Sequence, residues 1–226
     1  SGHGDHRGRR RPGGAAMSEQ DVIEKRRLSP PPGEDFWVFA YGSLMWNPGF
    51  AFLESHPALV RGYHRSFCVE STHYRGTQEK PGLVLGLDRG GACRGRAYKV
   101  CRTQGKTVSD YLHEREMLSG IYEPRWLTVT LLPAAGSPME VPSTRDSPRR
   151  APHVVKAAAY VVDRRHEGYR RLPPERIAEH ILQGVGSTGT NVAYLENTVR
   201  HLDELGVADG PLHEALRLVA ARRGER

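Results

Sequence analysis

The 226-residue chain lacks the features that mark several large classes of protein. Its three cysteines, Cys68, Cys93 and Cys101, are an odd number with no Cys-x-x-Cys spacing. This argues against a disulfide framework and a structural zinc site and makes a reducing cytoplasm the expected location. No apolar run approaches the roughly 20 residues that span a bilayer, so no membrane partner is expected. No apolar segment follows the basic start, as a secretory signal would require. Lysine is scarce, 5 against 28 arginines, a bias read here as genomic base composition. The net charge of +7 sits mostly at the ends. Four Arg and one Asp in Ser1 to Ala16 give +3, and four Arg and one Glu in Arg217 to Arg226 give another +3, which leaves about +1 for the body. Such a body has no stripe along which to track a phosphate backbone, so a nucleic-acid partner is not expected. The patterns GxSxG, HExxH and GxxxxGK[ST] are missing and the 11 histidines are scattered, so no metal site is expected. An enzyme without such groups needs a substrate that carries its own nucleophile.

Ser1 to Asp35 is rich in Gly, Pro and Arg without apolar periodicity and reads as a disordered extension, with Met17 as a start candidate. A folded domain is expected over residues 36–220, followed by a basic tail over 221–226. Phe36 to Ala40 is wholly apolar, as a buried strand would be. Further strands are expected at Ala58 to Tyr63, Ser66 to Glu70, Leu83 to Leu87, Gly95 to Val100, Leu127 to Leu132 and Val154 to Val162. Thr107 to Leu118 reads as a helix capped by Thr107, with Val108, Tyr111, Leu112 and Arg115 on one face. Ala135 to Pro152, rich in Pro, Ser and Arg, reads as a surface loop. Helical stripes follow Pro173: Ile177, Ile181 and Val185; then Leu195, Val199 and Leu202; then Leu212, Leu216 and Val219. Strands first and helices last predict an α+β domain, its mixed sheet curled into a small barrel flanked by helices.

Four segments can carry chemistry. The strand Phe36 to Ala40 runs into Tyr41-Gly42-Ser43-Leu44, where successive backbone N–H groups can form a nest for a carboxylate, although an ordinary strand and turn fit as well. In Tyr111-Leu112-His113-Glu114-Arg115-Glu116, helical spacing puts Glu116 at the rim of the apolar face and Glu114 in water. A rim carboxyl is partly desolvated and its pKa raised, which suits proton transfer near neutrality; an ion pair with Arg115 is the other reading. Ser71-Thr72-His73-Tyr74-Arg75-Gly76-Thr77 offers hydroxyls and a guanidinium, and Arg75 is either a carboxylate binder or a surface residue. Gly186-Ser187-Thr188-Gly189-Thr190-Asn191 joins two helices, and Asn191 reads locally as the cap of the second.

In this order the segments FAYGSLMWNPGF, ESTHYRGTQEKPG, GRAYKV, YLHEREMLSGIY, HEGYRRLP and GSTGTNVAYL resemble the ChaC family of γ-glutamyl cyclotransferases, over about Phe36 to Leu218. REMLSGIYEPRWL is similar to the family's bacterial branch. The resemblance implies a barrel-like sheet flanked by helices, a site at one open end, and no metal or cofactor. It implies a lyase that cuts a small-molecule substrate, glutathione, into 5-oxoproline and Cys-Gly. Carried over by residue, Glu116 is the catalytic acid/base, and the backbone of Val38, Phe39, Ala40, Tyr41, Gly42, Ser43 and Leu44 holds the glutamyl group. Arg75, Tyr169 and Asn191 fall near the pocket. Ala40 stands where many members have Gly, and the loop Ala135 to Pro152 bears on access. Two alternatives remain: a cyclotransferase for other γ-glutamyl amines or amino acids, and a non-catalytic γ-glutamyl binding module.

Overall fold

The computed structural model describes residues 18, 26–116, 119–133 and 153–224. The expected loop over 135–152 and most of the expected N-terminal extension lie outside the described residues. Five strands close a barrel: β1 (Phe36–Ala40), β2 (Glu54–Ser71), β3 (Gly82–Val100), β4 (Tyr122–Leu131) and β5 (Val154–Val162), in the order β1-β3-β2-β4-β5. Helix α1 (Gly105–Glu116) crosses between β3 and β4. Helices α2 (Pro174–Gln183), α3 (Asn191–Glu204) and α4 (Gly210–Arg223) follow the barrel. A two-stranded ribbon, β6 (Val185–Gly186) with β7 (Gly189–Thr190), links α2 to α3.

β1 is apolar along its whole length because side chains on both of its faces are buried, and both of its edges are paired as well. It runs antiparallel to β3, Phe36 opposite Val100, and parallel to β5, Trp37 opposite Ala157. A strand covered on both faces reads as a continuous hydrophobic run. β2 and β3 form one long hairpin, Glu54 opposite Lys99 and Ser71 opposite Gly82. Each of the two unites a pair of separately expected strands. The stretches that separate the expected strands, His64-Arg65 in β2 and Asp88 to Arg94 in β3, interrupt the apolar pattern but not the pairing. Register shifts between Arg61 and Tyr63 and between Phe67 and Val69 absorb the misfit, and Gly62 takes φ +83° at the first of them. β4 begins at Tyr122, five residues ahead of the expected strand. Its Pro124 lies opposite Tyr160 of β5, while β4 meets β2 only at Val129, Thr130 and Leu131. Pro124 thus occupies a stretch whose second edge bears no strand, the kind of edge position to which proline is confined in sheets.

One buried cluster fills the barrel and the helix layer, including Phe39, Val60, Leu83 and Leu112 with Ile181, Leu195, Leu202 and Leu212. α1 starts at Gly105, after a 3-10 turn at Arg102–Gln104, so Thr107 lies inside the first turn and not at the cap. The packed chain also begins ahead of Phe36. Leu28 is buried and its carbonyl accepts a bond from Ser109 Oγ at 2.6 Å, while Arg26 pairs with Asp163 at 3.0 Å and Glu123 at 3.2 Å. At the other end α4 runs to Arg223, so the expected tail from residue 221 begins inside a helix.

Candidate active site

β1, β2 and β5 finish, and β3 and β4 begin, at the same end of the barrel. A cavity of about 890 Å³ opens there, within the usual range for small-molecule sites. After Ala40 the chain leaves the sheet and enters a 3-10 turn, Ser43–Met45. The first amide that the turn satisfies is that of Met45, which donates to Gly42 O at 2.8 Å. Gly42, Ser43 and Leu44 line the cavity ahead of it, beside Phe39 and Tyr41.

Arg65 fixes this turn from behind. Its buried guanidinium donates to Tyr41 O, to Arg94 O at 2.7 Å and to Asp209 Oδ2 at 2.7 Å. Asp209 also caps α4 by accepting from Leu212 N at 3.1 Å, so one ion pair ties the turn to the last helix.

α1 brings the acid. Val108 and Leu112 bury its apolar face, Glu114 is exposed, and Glu116 closes the helix at the cavity wall. The Glu116 side chain is 18% exposed. Burial pushes its carboxyl from 4.5 up to about 7, against the opposing pull of Arg115. Arg115 Nε stands 3.7 Å from Glu116 Oε1, a long contact, because the guanidinium is spent elsewhere. It donates to Ser43 Oγ at 2.8 Å, Asn47 O at 2.9 Å and Tyr111 Oη at 2.6 Å. The helix is thereby fastened to the turn, and the carboxylate is left only weakly neutralised. Gly49 permits this closeness: at φ +73°, a Cβ there would run into the Tyr111 hydroxyl.

Tyrosines form much of the remaining wall. Tyr122 donates to Leu85 O at 2.7 Å, and Tyr194 accepts from Leu85 N at 3.4 Å. Burial holds the phenols of Tyr41 and Tyr122 well above their usual range, and that of Tyr194 at about 12. The outer wall is Glu70 to Arg75 together with Thr188. Arg75 stacks over the Tyr194 ring at 5.3 Å and donates to Thr188 O at 2.8 Å and Thr190 O at 3.3 Å.

Of the residues expected from sequence, Phe39, Tyr41, Gly42, Ser43, Leu44, Arg75 and Glu116 share the cavity. Val38 and Ala40 are buried in β1 outside the lining. Tyr169 and Asn191 lie outside it too, for identifiable reasons. Tyr169 donates to Asp88 at 2.9 Å. Asn191 clamps β3: its Oδ1 accepts from Leu83 N at 2.6 Å and its Nδ2 donates to Leu83 O at 2.7 Å. The cap of α3 is Thr190, whose hydroxyl accepts from Ala193 N at 3.1 Å. Sequence reasoning missed Arg65 and Tyr122, which fall outside the expected strands, and Tyr160, which sits inside an ordinary-looking one. It placed Arg115 on the helix's apolar face without seeing that it reaches the turn. Among the described residues no three His, Cys, Asp or Glu side chains converge as a metal site would need, and no helix is long and apolar enough to cross a membrane.

Comparison with known proteins places the chain in one family. A family model described as ChaC-like protein matches residues 36–222. The glutathione-specific gamma-glutamylcyclotransferase of Escherichia coli is 35% identical over 181 residues, 80% of this chain and 71% of that protein. The human glutathione-specific gamma-glutamylcyclotransferase 1 is 37% identical over 162 residues, 70% of this chain and 66% of that one. The crystal structure of a yeast γ-glutamyl cyclotransferase specific to glutathione superposes with a TM-score of 0.69 at 22% identity, covering 84% of this chain and all of that one, which shows the shared fold.

Proposed function

Because the chain belongs to the ChaC-like protein family, we propose that it is a glutathione-specific γ-glutamylcyclotransferase, a lyase that releases 5-oxoproline and Cys-Gly. One juxtaposition carries the reading. A desolvated carboxyl, Glu116, and the amide-bearing turn Gly42 to Leu44 face the same cavity, and Arg115 braces one against the other.

The substrate supplies the nucleophile. In a γ-glutamyl amide the α-amine and the γ-carbonyl belong to one chain, and attack closes an unstrained five-membered ring. The protein has only to fold the substrate into that geometry. The amine enters as an ammonium, with a pKa of roughly 8. Glu116 in its ionised form takes a proton from it, and the freed nitrogen attacks the γ-carbon. The C–N bond to cysteine breaks as the carbonyl re-forms. Ring closure strips two protons from the attacking nitrogen and the departing nitrogen gains two, so the carboxylate ferries a proton twice. A carboxyl near pH 7 is suited to both directions of transfer. Amides of the turn hold the α-carboxylate of the glutamyl group, and Arg75 at the outer wall takes the glycine carboxylate. No metal or cofactor enters this scheme. Unpaired cysteines suit a reducing compartment, so the proposed location is the cytoplasm, and REMLSGIYEPRWL suits a bacterial member.

The test is release of 5-oxoproline by the purified full chain from glutathione, from γ-glutamyl amino acids and from γ-glutamyl amines. Glutathione is expected to be the preferred substrate. Faster turnover of the simpler compounds would transfer the assignment to a broader cyclotransferase. Binding with no 5-oxoproline from any of them would leave only a γ-glutamyl binding module.

A further inference from the structure

Tyr160 lies near the end of β5, opposite Pro124 of β4, and is 3% exposed. It lines the cavity, yet its buried hydroxyl finds no hydrogen-bond partner among the described residues. Its neighbours differ: Tyr122 and Tyr194 are each engaged with the backbone of Leu85. An orphaned buried hydroxyl is a cost that a phenylalanine of the same shape would avoid. Burial first, and then the nearby Glu116 carboxylate, raises the phenol, so it stays protonated and can only offer its hydrogen or its lone pairs. Tyr160 and Glu116 line the same cavity, the one in which the proposed chemistry occurs.

We propose that the Tyr160 hydroxyl is a catalytic hydrogen-bond donor to the γ-carbonyl oxygen of the substrate. This rests on the cyclotransferase reading above. As the α-nitrogen bonds to the γ-carbon, the carbonyl electron pair moves onto oxygen. Tyr160 donates to that oxyanion without giving up its proton. The bond relaxes when the C–N bond to the leaving amine breaks and the carbonyl returns. A preorganised donor in a water-poor cavity acts mainly on the transition state, so its loss lowers kcat more than it raises KM.

The test is Tyr160→Phe in the full chain, assayed by 5-oxoproline release from glutathione and by urea unfolding, beside the wild type and Glu116→Gln. The expected result is a fall in kcat of about 10²-fold with little change in KM, and stability equal to or above wild type. Activity within about threefold of wild type overturns the proposal. So does a clear loss of stability, because the hydroxyl would then be serving the fold. The two levels of inference separate cleanly: a wild-type chain that releases no 5-oxoproline sinks the parent reading, whereas an active wild type matched by an equally active Tyr160→Phe sinks this one alone.

Discussion

Replacing Glu116 with Gln should abolish turnover and, at neutral to alkaline pH, make the protein more stable. The sign follows from burial. An unfolded chain ionises this carboxyl near 4.5, whereas the folded chain holds its proton up to about 7. At pH 4 both states are protonated and the folded state bears no penalty. Between about 4.5 and 7 the unfolded chain releases a proton that the folded chain keeps, so stability drains away as pH rises. Above about 7 both are ionised and the full penalty stands. At 1.36 kcal/mol per pKa unit, it amounts to about 3 kcal/mol. Gln fills the same space without the charge. The variant should therefore match the wild type at about pH 4.5 and exceed it by up to ~3 kcal/mol at about pH 8. With a urea slope of about 2 kcal/mol/M, the midpoints should separate by about 1.5 M. Urea unfolding of both proteins across this pH range is the assay. Midpoints that differ by the same amount at every pH would refute the reasoning, since Glu116 would then have ordinary carboxyl behaviour and no reason to serve as a base near neutrality.

The same carboxyl should govern catalysis, with kcat/KM for glutathione rising with pH through a midpoint of about 7. Arg115→Met removes the cation that opposes that rise. The acid limb should move to higher pH, and a limb that moves down would contradict the charge assignment. Asp209→Asn can still cap α4 but leaves the Arg65 cation, 2% exposed, without its anion. Breaking such a buried pair should cost about 3–5 kcal/mol in urea unfolding, and activity should fall too because Arg65 holds the Tyr41 carbonyl. A cost below about 1 kcal/mol would mark the pair as solvent-screened. Asn191→Leu strands both polar groups of Leu83, at about 1–3 kcal/mol each, but the folded fraction should keep a normal KM for glutathione. A large rise in KM without loss of stability would return Asn191 to the pocket.

The strands that sequence reasoning located best are those whose burial is simplest. β1 is buried on both faces and β5 is apolar through its inner half, and both fall at their expected bounds. β2 and β3 each read as two pieces because His64-Arg65 and the stretch Asp88 to Arg94 break the apolar pattern, whereas the ladder runs through both, with a bulge at Gly62. The carboxyl and the turn were legible because each depends on local spacing: helical periodicity for Glu116, a strand end for Gly42 to Leu44. Arg65, Tyr122 and Tyr160 depend on strand register around a closed barrel, which no local window contains. Asn191 shows the reverse error. Its motif is local, but its partners on β3 are 108 residues away, and its polarity is consumed by the Leu83 backbone.

Burial that raises Glu116 is also what makes the rest of the site possible. Had Arg115 closed a short bidentate pair with it, the carboxyl would lie well below neutrality and would bind its proton too weakly to return it to a leaving amine. Ser43, Asn47 and Tyr111 draw the guanidinium aside, so the cation braces the turn and touches Glu116 only at 3.7 Å. Two requirements that usually conflict, a rigid acid and an unneutralised one, are met by giving the cation other acceptors. It follows that removing an acceptor should act on the acid as well as on the turn. In Ser43→Ala the guanidinium loses its 2.8 Å bond and is free to swing toward Glu116. The acid limb of kcat/KM should then shift to lower pH, opposite to its movement in Arg115→Met. Shifts of the same sign in the two variants would mean that Ser43 does nothing to keep the cation from the acid.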